Sequence, residues 1–179
     1  MPRSERPDMA AYGVPDDLDG VLEWPWAAER LAANRNFWLT TVDPAGRPHS
    51  MPLWGWWDDD ATTGEQAFWF SCAETALKVR NLAANPAVVV ATDDTVEVLS
   101  IEGDATAVAA DDPGAVHASK EWAARYAEAM EIDPTDDEAM AGAAGFFLSS
   151  AVFRVAPRKA FAVIERPADF GPKATRFVW

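Results

Sequence analysis

The hydrophobic positions change period along the chain, and each change marks an element. Over residues 20–34 apolar residues recur at helical spacing, so that Leu22, Trp26 and Leu31 can share a face, and Pro25 suits a first turn; this predicts an amphipathic helix. From residue 37 the pattern becomes that of a strand, Phe37-Trp38-Leu39-Thr40-Thr41-Val42, followed by Asp43-Pro44-Ala45-Gly46, with proline and glycine where a tight turn needs them. Residues 49–57 predict a second strand, 58–64 an exposed acidic connection, and 67–72 a third strand. Helical spacing resumes over 75–85, with Leu77 and Leu82, and stops at Asn85-Pro86, because proline disfavours helix in the residue before it. Two further strands, 87–92 and 96–108, are bounded by Asp pairs. Asp112-Pro113 opens a helix over about 114–130, an acidic stretch at 131–138 starts another, and strands at 151–155 and 160–164 flank Pro157. About six short strands, mostly joined by tight turns, predict a mainly β fold: an antiparallel barrel with flanking helices on its rim.

The Pro- and Asp-rich residues 1–19 read as an N-terminal arm with freedom to move. Residues 20–179 read as a single domain carrying a helical insertion at about 112–147. A chain of 179 residues should bury about 70% of its extended surface, so it can hold a core without disulfides or metal. Fifteen basic against 29 acidic residues leave a net charge of −14, which excludes general nucleic-acid binding by lysine and arginine. Cys72 is the one cysteine and forms neither an internal disulfide nor a zinc site by itself. With no apolar run near the ~20 residues of a membrane span and no apolar core in MPRSERPDMA, the expectation is a cytoplasmic protein without membrane or nucleic-acid partners. The charge is uneven. Residues 151–179 hold six basic and two acidic residues, whereas 1–150 hold nine and 27. That segment is either a solvated surface or part of an anion site.

No G-x-S-x-G, Walker, H-E-x-x-H or G-x-G-x-x-G motif is present, and no side chain stands out as a catalytic acid, base or nucleophile. His49 on a strand and His117 on a helix read as structural and surface residues, and Cys72 as a packed residue at a strand end. The strongest local candidate is residues 71–81, SCAETALKVRN, where a strand gives way to a hydroxyl-bearing turn and a helix. Free N–H groups at that helix start, with Thr75 as a cap or donor and Lys78 in the first turn, suit a phosphate. Nine tryptophans are several times the usual share. Trp54 and Trp56 point to one face of their strand, either into packing or as an aromatic wall for a flat heterocycle.

Three stretches resemble the pyridoxamine 5′-phosphate oxidase-like family of flavin-binding split barrels, including its actinobacterial deazaflavin-dependent branch. They are FWLTTVDPAGRPHSMPLWGWW (37–57), FWFSCAETALKVRNLAANPAVVVATD (68–93), and a tail with Arg158-Lys159-Ala160-Phe161 and Ala174-Thr175-Arg176-Phe177. The resemblance implies a six-stranded Greek-key split barrel that pairs as a homodimer, with FMN or the deazaflavin coenzyme F-420 in a cleft between subunits. Met51, Pro52, Leu53 and Trp54 would then line the tricyclic ring. Ser71, Cys72, Thr75 and Lys78 would hold its ribityl-phosphate end, Asn81 would brace that turn, and Arg176 and Trp179 would approach from the tail. True pyridoxamine phosphate oxidases carry arginines where this chain has Met51 and Leu77 and a closing motif that it lacks, which points away from vitamin B6 oxidation. The implied activity is a flavin- or deazaflavin-dependent oxidoreductase that moves a hydride to or from a small hydrophobic unsaturated substrate. The Lys78–Asn81 spacing and the Arg176 tail resemble the deazaflavin branch more. The alternatives are a non-catalytic flavin or haem carrier or sensor, for which His49 is the one histidine in the resembling strands, an FMN-dependent pyridoxamine phosphate oxidase-like enzyme, and a bare dimerising scaffold.

Overall fold

A computed structural model describes residues 1–59 and 65–179; the expected acidic connection therefore lies largely outside the described residues. Among the described residues nine strands form one antiparallel sheet: β1 (Arg3–Glu5), β2 (Phe37–Val42), β3 (Pro48–Leu53), β4 (Gly55–Asp59), β5 (Gln66–Cys72), β6 (Ala87–Thr92), β7 (Glu97–Val108), β8 (Ala151–Ile164) and β9 (Thr175–Val178). The helices are α1 (Trp24–Ala33), α2 (Leu77–Ala84), α3 (Pro113–Tyr126), α4 (Asp137–Leu148) and α5 (Phe170–Lys173).

The fold class is as the pattern predicts; within the barrel one predicted strand splits and two merge, and the higher strand count comes from β1 and β9 outside it. The predicted strand 49–57 breaks at Trp54 into β3, which pairs with β2, and β4, which pairs with β5. This bent segment closes the ring β2–β6–β7–β8–β5, so six strands make the barrel when β3 and β4 count as one. The predicted strands 151–155 and 160–164 are one strand, β8, running through Pro157. Outside the ring, Lys159–Ala162 of β8 pair with β9, and β9 pairs with β1, so part of the expected arm is an edge strand of the sheet.

Local chemistry sets the joints. In the β2–β3 turn the Asp43 carboxylate accepts from the N–H groups of Ala45 and Arg47 at 2.9 Å, and Gly46 supplies φ +81°. Asp112 caps α3 by accepting from Gly114 and Ala115, with Pro113 in its first turn, and Asp136 caps α4 in the same way. In α1 the buried face is Trp24, Ala27 and Leu31, not the predicted Leu22–Trp26–Leu31 stripe. The helix starts only at Trp24, and Trp26 is half-buried at the edge of the core with the Arg30 guanidinium 3.8 Å from its ring centre.

Two cores meet at β5. Phe37, Leu39, Phe68, Phe70, Ile101 and Val155 fill the barrel, while Ala67, Trp69, Trp122, Tyr126 and Phe147 pack the other face of β5 against α3 and α4. Gln66–Phe70 are accordingly buried in unbroken succession, which explains an apolar run without alternation. No described helix is long and apolar enough to cross a membrane.

At the β7–β8 register shift the backbone leaves no room: a Cβ on Gly103 would lie 2.3 Å from the Ala156 carbonyl oxygen. Gly103→Ala should destabilise the fold by about 1–3 kcal/mol, read as a lower urea midpoint at unchanged slope.

Candidate functional site

The junction singled out in the sequence is formed by the end of β5, the start of α2 and the β3–β4 bend. Ser71 and Cys72 end β5, paired with Val152 and Ala151 of β8, and both are half-buried. Gly55 pairs with Phe70, so the bend at Trp54 falls opposite Ser71, one register step beyond that pair. Met51 and Pro52 are exposed on β3 and Leu53 is half-buried, giving an apolar edge beside the junction.

The turn into α2 is closed by the Ala76 N–H donating to the Ala73 carbonyl. Helix α2 begins at Leu77, later than the sequence pattern suggests, and its N-cap is Ala76, which has no side chain to bond the first-turn N–H groups. Thr75 is therefore not the cap; it stands exposed in the preceding turn. Lys78 is half-buried in the first turn of the helix. Burial pushes the Cys72 thiol up, and the Lys78 charge pulls it partly back, so the two groups act on one another. Asn81 is buried and donates to the Thr41 hydroxyl at 2.9 Å, so it fastens α2 to β2 rather than bracing the turn.

The tail residues lie elsewhere in the chain. Arg176 pairs with Phe161 across β8–β9 and its guanidinium binds the Glu5 carboxylate at 2.6 Å. That ion pair holds the Glu5 carboxyl below the usual range. Trp179 donates from its indole to Gln66 at 2.6 Å and sits edge-on to Trp24. Ala151, which meets Cys72, and Phe161, which meets Arg176, are ten strand steps apart on β8, up to about 33 Å at ~3.3 Å per residue. Of the expected cofactor-binding residues, the chain thus sets the Trp54 bend against Ser71 and Cys72, with Thr75 and Lys78 following in the next turn and helix and Met51–Leu53 leading away along β3; it leaves Arg176 toward the far end of β8 and Trp179 beside Arg158 in its middle, at the start of β5.

The cations of the positive carboxyl-terminal segment find carboxylates within the chain. Arg154, Arg158, Lys159, Arg166, Lys173 and Arg176 each pair with a carboxylate, those of Glu65, Asp104, Glu102, Glu97, Asp169 and Glu5. These pairs favour the solvated-surface reading of that segment over the anion-site one. Lys78 and Arg80, both on α2, have no carboxylate partner among the described residues, although acidic residues outnumber basic ones almost two to one.

Two aromatic residues of the corner escaped the sequence reading. Trp54 stacks on Tyr126 of α3, with ring centres 4.6 Å apart and planes 8° from parallel, and Trp122 lies against both. The signal was the four-residue spacing of Trp122 and Tyr126 on an alanine-rich helix. Trp56, on the same side of the strand, meets His117 edge-on, so that exposed histidine packs on an aromatic ring. No group of three or more metal-ligating side chains gathers among the described residues.

Cys72 should stay a thiol at neutral pH. Its alkylation by iodoacetamide should accelerate only above the range of free cysteine, and Lys78→Ala should slow it further at any pH between; labelling as fast as free cysteine at neutral pH would contradict this geometry.

No curated protein matches the chain. Among solved structures, the conserved hypothetical protein Rv2991 of Mycobacterium tuberculosis is similar at 23% identity and a TM-score of 0.64, over 84% of this chain and 89% of that one. An F-420 reductase is similar at 24% identity and a TM-score of 0.51, over 74% and 93%. A FAD-binding protein of Mesorhizobium loti is similar at 16% and 0.53, over 88% and 96%. At these identities the likeness is one of fold. The sequence profile of the pyridoxamine 5′-phosphate oxidase family matches residues 25–162, from α1 into β8, and the chain belongs to that family.

Proposed function

We propose that the protein is an oxidoreductase that holds a flavin or deazaflavin with its phosphate at the start of α2 and its ring along the Met51–Trp54 edge. The observation that carries this reading is Lys78: a half-buried cation without a carboxylate partner among the described residues, beside an uncapped helix start, in a strongly acidic chain. An anion there gains the charge, the first-turn N–H groups and the positive end of the helix dipole together. The adjacent apolar edge of exposed Met51, Pro52 and Trp54 offers a surface for a flat ring. Membership of the family supports a cofactor of this type, as do an F-420 reductase and a FAD-binding protein among the structural neighbours.

Once bound, the tricycle supplies the hydride chemistry. The work left to the chain is binding, orientation and exclusion of water. Lys78 fixes the phosphate end; the bend at Trp54 fixes the ring's position; Met51 and Leu53 shield the ring's edge; and an apolar surround suits a small hydrophobic unsaturated substrate. Because Arg176 lies far along β8 from this corner and Trp179 lies at the opposite end of β5, they join the site only if a second copy brings its tail to it, which is the homodimer reading. The ion pairs of the carboxyl-terminal cations change the balance between cofactors. The cations left for an anion at this corner are Lys78 and Arg80, which suit the single phosphate of FMN better than the longer anionic tail of F-420.

The spectrum and mass of any small molecule that copurifies decide between flavin, deazaflavin and haem. Titration of the apoprotein with FMN and with F-420 should show binding of at least one. Lys78→Ala should weaken that binding roughly 10- to 100-fold and leave the far-ultraviolet circular dichroism unchanged; unchanged affinity removes Lys78 from the site.

A further inference from the structure

The bend between β3 and β4 is where the barrel wall changes partner, and it is pinned by a residue from another part of the chain. The Tyr126 hydroxyl accepts from the Gly55 N–H at 3.1 Å, and its own proton is shared between the carbonyl oxygens of Arg35 at 2.6 Å and Gly55 at 2.9 Å. One phenol therefore ties both backbone groups of Gly55 to the segment that enters β2. The tie is tight: Gly55 sits on the Phe68 ring so closely that a Cβ would lie 2.1 Å from it. Burial pushes the Tyr126 phenol up, so it keeps its proton through neutral pH and remains a donor.

The same tyrosine ring carries Trp54. The centroid distances from Trp54 to Tyr126, from Trp54 to Trp122 and from Trp122 to Tyr126 are 4.6, 6.1 and 5.2 Å, a compact triangle, so both partners lie to the same side of the Trp54 indole. Trp54 nevertheless keeps 37% of its surface exposed, so its two ring partners do not enclose it. Resting on the reading of this corner as the ring site, we propose that Tyr126 is the positioning residue of that site: its hydroxyl fixes the Gly55 backbone and its ring holds Trp54 as a prebuilt platform against which the planar part of the cofactor or substrate stacks. The platform is in place in the chain alone, so no ordering cost falls on ligand binding.

The test compares the full-length wild type with Tyr126→Phe, which keeps the stack and removes the tie, and with Trp54→Leu, which keeps the tie and removes the platform. The readouts are hydrogen exchange of the Gly55 amide in the apoprotein, affinity for FMN and for F-420, and the position of the bound ring's visible absorption band. In Tyr126→Phe the Gly55 amide should exchange at least about tenfold faster, affinity should fall roughly tenfold, and the band should move. Trp54→Leu should lose affinity and shift the band with Gly55 exchange unchanged. If the wild type binds and Tyr126→Phe binds with the same affinity and band, the positioning role is overturned while the ring site stands. If Tyr126→Phe does not fold, unaltered binding and band in Trp54→Leu overturn it equally. If the wild type binds neither cofactor, the ring site itself fails and the inference falls with it.

Discussion

The architecture depends on how β8 distributes its two hydrogen-bonding edges. One edge runs along β7 from Val152 to Ile164, and the other is divided, with residues 151–155 held by β5 and 159–162 by β9. Pro157 has no N–H to give to a ladder, which normally confines proline to edge strands and bulges. Here it falls in the interval between the two partners of the divided edge and opposite the register shift at Gly103. The strand thus survives a residue that ought to end it, and the division sends the closing turn of the barrel to one end and the tail to the other.

That division explains which parts of the fold could be read from the sequence. β2, the Asp43–Gly46 turn and β6 follow from local alternation and turn chemistry, and they lie as expected. The two halves of β8 look like separate strands because Pro157 is a local breaker, while its tolerance comes from partners far away in sequence. The split of 49–57 at Trp54 is likewise invisible locally: nothing in the residues says that one half serves β2 and the other β5. The short edge strand Arg3–Glu5 is hidden for the same reason, since it pairs with β9 at the opposite end of the chain.

The candidate site divides in the same way. The strand–turn–helix junction with Lys78 was legible because it is contiguous, and the structure adds that the cation lacks a carboxylate partner among the described residues. The carboxyl-terminal charge was legible as composition and misleading as function. Each of its six cations meets a carboxylate that is remote in sequence, or one turn away for Lys173 and Asp169. Tyr126 was missed because its role is carried by backbone groups of Gly55 and Arg35, which leave no mark on side-chain patterns.

The late arrival of β8 has a consequence for how the chain is made. β5 is buried on both faces, yet its ladder partner on one side lies far downstream, beyond α3 and α4. A ribosome releases β5 well before the strand that covers it, so the growing chain carries the apolar run Ala67–Phe70 with an open edge until β8 has been made. Such a topology folds slowly, because the loop must close before its contacts repay it, and it makes the nascent chain a natural client for chaperones.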